Sequence, residues 1–157
     1  MSLLKTLMCC AGLVSLSLAA QDRLTLNPPE LPAANGYSHV VVAPQGRRVV
    51  ISGQVSLDSH GNLIGKDDFE KQCIQVHENI TKALAALGLT FDDVIRTDNY
   101  ITDRKYLPLL RKVRANYIYK DHPPASTLLV VDGLFLPELM VEVSVEAILP
   151  DRKLDSR

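Results

Sequence analysis

Three side chains capable of polar chemistry, Glu142, Ser144 and Glu146, alternate with the apolar residues Val141, Val143, Val145 and Ala147. In a strand that period puts the polar set on one face and the apolar set on the other. Upstream, just past Pro123 and Pro124, come two adjacent hydroxyls, Ser126 and Thr127. Residues 124–149 therefore read as an active-site hairpin, strands 126–131 and 139–149 joined by a loop with Gly133 and Pro137, yet short of the groups a site needs.

Cys73 and His77 stand four apart, the spacing of a metal pair or of a thiol beside its base. Cys73 also shares a helical face with Val76 and Ile80, which favours a buried structural thiol. His39, His60 and His122 lie near turns without the mutual spacing of a metal site, so no metal is expected. Asn79, Ile80 and Thr81 form a glycosylation sequon, but Ile80 falls on a core position of a regular helix, where a sugar would not fit.

These residues must be positioned by a small number of elements. Residues 1–5 carry one positive charge, and the apolar run 7–20 is too short for a bilayer crossing, which takes ~20 residues. Residues 1–20 read as a signal peptide cleaved near Ala19 or Ala20, so an exported protein, periplasmic or secreted, is expected, with no stable membrane insertion after cleavage. Residues 21–157 suffice for one core and not for two. A formal charge of −1, without a strongly basic patch, gives no reason to expect nucleic acid. Of the three cysteines only Cys73 survives cleavage, leaving stability to packing or association rather than to an internal disulfide.

Residues 21–35 are Pro-rich and aperiodic, an extended lead-in. Residues 39–43 and 49–55 flank the turn cluster 44–48 and read as a β-hairpin. Asp67 with Glu70 resembles a helix cap, followed by Phe69, Cys73, Val76, Ile80, Leu84 and Leu87 at helical steps and closed by Gly88. Residues 94–102 alternate as a strand, and Leu107, Leu110, Val113, Ala115 and Tyr117 mark a second helix, with Pro108 in its first turn. The expected fold is α+β, ordered β-β-α-β-α-β-β, with two helices on one face of a four- or five-stranded mixed sheet. The other face lacks a cover within the chain, so association with further copies is expected. The single domain spans residues 36–150, and 151–157 form a charged, frayed tail.

Gly36, Tyr37 and Ser38, then Ile51 to Gln54, Asn79 with Ile80, Phe91 to Val94, Thr102 with Asp103, Pro124 to Ser126 and Val145 to Ile148 resemble, in this order and spacing, the RidA (YjgF) family of small enamine/imine deaminases. The resemblance implies a chorismate-mutase-like homotrimer with a central barrel, helices outside and three clefts between subunits. It also implies hydrolysis of 2-imino acids or their enamine tautomers to 2-oxo acids and ammonia, with no metal or organic cofactor. That chemistry wants a cation for the substrate carboxylate, groups that orient the imine, and a carboxylate or carbonyl that positions water.

In the family the cation is an arginine just after the Pro-Ala pair, a position held here by Ser126. The family glutamate two residues before the Glu-Ala pair is here Ser144. Those two positions are the catalytic candidates, and Tyr37, Ser52, Gly53, Gln54 and Thr127 the expected ligand-binding residues. Substitute groups are available in Glu142 or Glu146 for the carboxylate and in Arg47, Arg48, Lys112 or Arg114 for the cation. Two readings result, a deaminase with altered groups and a non-catalytic trimer that binds a small metabolite outside the cytoplasm.

Overall fold

Phe69, Cys73, Val76, Ile80 and Leu84 are all buried, and their spacing makes one stripe of helix α1 (Phe69–Ala85). Each large apolar side chain so buried stabilises by ~1.5–3 kcal/mol, so the stripe alone fixes α1 against a sheet. This computed structural model describes residues 23–118 and 121–151; the expected signal peptide and all of the tail after Asp151 lie outside the described residues. The cap of α1 is Asp68, whose carboxylate accepts the Lys71 N–H, and not Asp67, which takes a left-handed backbone angle just before it.

The remaining elements are strands β1 (Leu24–Leu26), β2 (Val40–Val42), β3 (Arg47–Gln54) and β4 (Val94–Ile101), helix α2 (Leu107–Arg114), and strands β5 (Ala125–Val130) and β6 (Val141–Leu149). The main sheet has the order β3-β6-β4-β5, with β5 parallel to β4 and the other pairings antiparallel. Both helices pack on one face, as the sequence led us to expect. α2 is joined to α1 through the Lys112–Glu70 ion pair at 2.7 Å and by the ring of Tyr106, at the start of α2, stacked on Phe69 at 4.3 Å.

Two expected pairings are corrected. β2 does not form a hairpin with β3; it pairs with β1, which the Pro-rich lead-in supplies, and Arg47 and Arg48 belong to β3 rather than to a turn. Residues 124–149 are not a hairpin either, because β6 inserts between β3 and β4 while β5 stands at the edge. The strand with the cleanest alternation, with Val141, Val143, Val145 and Ala147 fully inward, takes the interior position that buries most.

β4 carries a bulge between Val94 and Arg96, which brings Val94 onto the same inner face as Thr97, Asn99 and Ile101. The opposite face of the sheet bears Arg96, Asp98, Glu142, Ser144 and Glu146, together with exposed Val50 and Leu129, and no element among the described residues covers it.

Candidate functional site

β5 and the inner face of β4 meet at Ser126. In register with Thr97, it accepts hydrogen bonds from Thr97 Oγ1 (3.1 Å), Asn99 Nδ2 (3.1 Å) and Arg114 Nη1 (3.3 Å). Asn99 Nδ2 also lies 2.9 Å from the Thr127 carbonyl oxygen, while its buried Oδ1 has no partner among the described residues. Ser126 is thus a hub at which three donors converge on one hydroxyl. Thr97 and Asn99 were not anticipated as site residues; two polar side chains on the otherwise apolar inner face of a strand are the signal that could have found them.

Of the four candidate cations, three are accounted for otherwise. Arg48 makes a bidentate pair with Glu146 (2.8 and 3.0 Å), Lys112 is paired with Glu70, and Arg47 is exposed at the start of β3. Arg114 is only 8% exposed. Burial pushes its pKa down, and neighbouring Arg111 adds to the shift. It takes part in no ion pair among the described residues.

Tyr37 is brought to the hub by the segment before β2. Ser38 bridges to Ala125, with its N–H on the Pro124 carbonyl (3.0 Å) and its hydroxyl on that of Pro123 (2.7 Å). The result is a 330 Å³ cavity lined by Tyr37, His39, Arg96, Ser126 and Thr127 among others. Its imidazole, His39, is turned to the Pro32 carbonyl (2.8 Å), and Arg96 is paired with Asp98 (3.0 Å). Three expected site residues, Tyr37, Ser126 and Thr127, are therefore brought together.

The other expected residues are not brought to that cavity. Ser144 stands across from Asp98, one position along β4 from the residue opposite Ser126, and a single step along a strand reverses the face. Ser126 and Ser144 thus project from opposite sides of the sheet. Ser52, Gly53 and Gln54 lie at the end of β3, where Glu142 lies so close over Gly53 that a Cβ there would collide with its carboxylate. Gln54 turns back on its own strand, donating to the Ser52 carbonyl at 3.1 Å. Glu142, unlike Glu146 and Asp98, is in no ion pair among the described residues.

Cys73 and His77 are buried against each other, with Nδ1 of His77 2.8 Å from the Cys73 carbonyl oxygen and its ring stacked on Tyr117 at 4.8 Å. Burial pushes the thiol up to about 12 and the imidazole down to about 4, so neither is a poised base or nucleophile. Asn79 of the sequon is used internally, donating to the Val55 (3.1 Å) and Leu57 (2.9 Å) carbonyls.

Residues 28–149 match the family model described as endoribonuclease L-PSP. Protein DfrA of Myxococcus xanthus is 31% identical over 113 residues, 71% of this chain and 86% of that protein. A RutC family protein of Saccharolobus solfataricus is 31% identical over 102 residues, 65% of this chain and 79% of that protein. Among solved structures, the Rid family protein YyfB of Yersinia pestis superposes with a TM-score of 0.75 at 32% identity, over 81% of this chain and 98% of that one. RidA of an Antarctic Psychrobacter species does so at 0.60 and 28%, over 80% and 99%.

Proposed function

The chain belongs to the Rid/YjgF (endoribonuclease L-PSP) family, and from that premise we propose that it is a homotrimer that binds a small carboxylate-bearing metabolite of the 2-imino or 2-oxo acid class at clefts between subunits, hydrolysing imines weakly at most. The observation that carries this reading is the cavity around Tyr37, Ser126 and Thr127, which offers hydroxyls and an arginine but no carboxylate. A positioned general base contributes ~10²–10⁴-fold to such a reaction, and the imidazole of this cavity, His39, is turned to the Pro32 carbonyl, so the cleft keeps its ligand and loses most of its turnover.

Two further features support a trimer. The uncovered sheet face carries Val50 and Leu129, at 67% and 49% exposure, which association would bury. The residues of β3 and those around β5 lie at opposite edges of the sheet, so they can share a cleft only across a subunit boundary. A deaminase reading is favoured by one observation, Glu142 beside Gly53, in no ion pair among the described residues, two residues from Ser144 and on the same face. Export by residues 1–20 is part of the proposal, and N-terminal sequencing of the exported product should begin near Gln21.

Binding is tested by titrating 2-oxobutanoate into isotope-labelled mature protein. The amide signals of Tyr37 and Thr127 are expected to shift saturably. A spectrum that stays unchanged at millimolar ligand would refute the cleft assignment.

A further inference from the structure

Resting on that reading of the cleft, we propose that the ligand carboxylate is held by Arg114 from α2, with Arg111 beside it, and not by any group on β5. The hydrogen bond from Nη1 to Ser126 Oγ at 3.3 Å ties this guanidinium to a residue that lines the cavity around Tyr37.

Three observations point to an anion as its missing partner. Arg114 is buried yet has no carboxylate among the described residues, and a buried charge left uncompensated is costly. Arg114 lines a 290 Å³ cavity that shares no lining residue with the one around Tyr37, together with Arg111, Asn35, Gly36, Ile118 and Pro123, a wall of two cations, one amide and apolar surface with no acid among the described residues. Gly36, at φ +71°, lets the backbone come close enough that a Cβ would stand 3.0 Å from Nη2, so the guanidinium meets bare main chain on that side. Two like charges converging on one cavity repel unless an anion sits between them. A carboxylate would satisfy both, and Ile118 and Pro123 suit a short aliphatic chain attached to it.

The test compares an acid with its neutral twin. Calorimetric titration of 2-oxobutanoate and of 2-oxobutanamide is run on the wild-type protein, Arg114→Gln and Arg114→Lys. Loss of a charge-assisted hydrogen bond is expected to weaken the acid about 10- to 150-fold in Arg114→Gln, less in Arg114→Lys, and to leave the amide within about threefold. An acid that binds Arg114→Gln as it binds wild type overturns the assignment of Arg114 while leaving the cleft in place. If neither compound binds wild type, the cleft reading itself fails. Because a buried arginine can be needed for folding, a crystal structure of the wild-type protein with 2-oxobutanoate gives an independent answer. Carboxylate oxygens within hydrogen-bond distance of Arg114 are expected, and a carboxylate seated on Arg96 instead would overturn the proposal.

Discussion

Arg114 Nη1 lies 3.3 Å from Ser126 Oγ, a hydrogen bond that ties the last residue of α2 to the second residue of β5. The same oxygen accepts from Thr97 and Asn99, so one hydroxyl of β5 serves three donors on one strand and a helix. Ser126 is thus the centre of an internal polar junction.

Ser126→Ala takes that junction's acceptor from the Thr97 hydroxyl and from Arg114 Nη1, while Asn99 Nδ2 keeps the Thr127 carbonyl. The expected cost is about 1–3 kcal/mol, read as a fall of several degrees in Tm. Ser126→Thr keeps the oxygen and should lose less. An alanine variant as stable as the parent would show that the three contacts carry no net energy.

Installing the arginine and glutamate that the family resemblance implies at 126 and 144 is expected to fail in a specific way. Ser126→Arg sets a second guanidinium against Arg114, so Ser126→Arg/Ser144→Glu should be destabilised by on the order of 1–3 kcal/mol, and adding Arg114→Gln should relieve part of that loss. Denaturant midpoints of the four proteins measure the coupling. Strict additivity would mean that positions 114 and 126 do not share a site.

Much of this architecture was legible in the sequence because periodicity reports burial directly. The stripe of α1 and the alternation of β6 each match their buried faces residue by residue. Partners were less legible. The turn-rich segment before Arg47 looks like a hairpin loop, yet β2 pairs with Leu24–Leu26 from the lead-in, since pairing depends on where the chain returns and not on local turn chemistry. β5 and β6 are consecutive strands that do not touch as neighbours, for the same reason. At the site, Tyr37, Ser126 and Thr127 were identified through the family likeness, while Thr97 and Asn99 escaped notice as ordinary strand residues. Arg114, four residues past Leu110 and seven past Leu107, falls on the apolar stripe of α2, a periodic signal that separates it from Lys112 and that its charge concealed.

Stability should fall with acid through His77. Its imidazole is held neutral, with a pKa pushed down to about 4 by burial, whereas the unfolded chain titrates near the ordinary value of 6.5. Between those values the unfolded state binds more protons, so stability is fully present above about pH 6.5 and is lost as pH falls toward 4. Asp58, Asp68 and Asp103 are held below the ordinary carboxylate value of 3.8, largely by hydrogen bonds, and add their own losses mainly at lower pH. Urea midpoints between pH 7 and 4.5 are expected to drop by an amount that His77→Gln removes. An unchanged slope in that variant would assign the acid sensitivity elsewhere. Cys73, pushed up to about 12, should resist alkylation at pH 8 until the protein is unfolded.

Association should depend on the uncovered face. Sedimentation equilibrium of the mature protein is expected to give a trimer, and Val50→Glu, placing a charge at a 67% exposed apolar position of β3, should shift it toward monomer. A monomeric parent, or a variant that remains fully trimeric, would contradict the role given to that face.

The most direct test of a ligand cleft without its hydrolytic carboxylate is ammonia release from 2-iminobutanoate generated in situ. The mature protein is expected to stay close to the uncatalysed rate while it binds 2-oxobutanoate. Turnover far above that rate, abolished by Glu142→Gln, would contradict the account and make the residue over Gly53 the base.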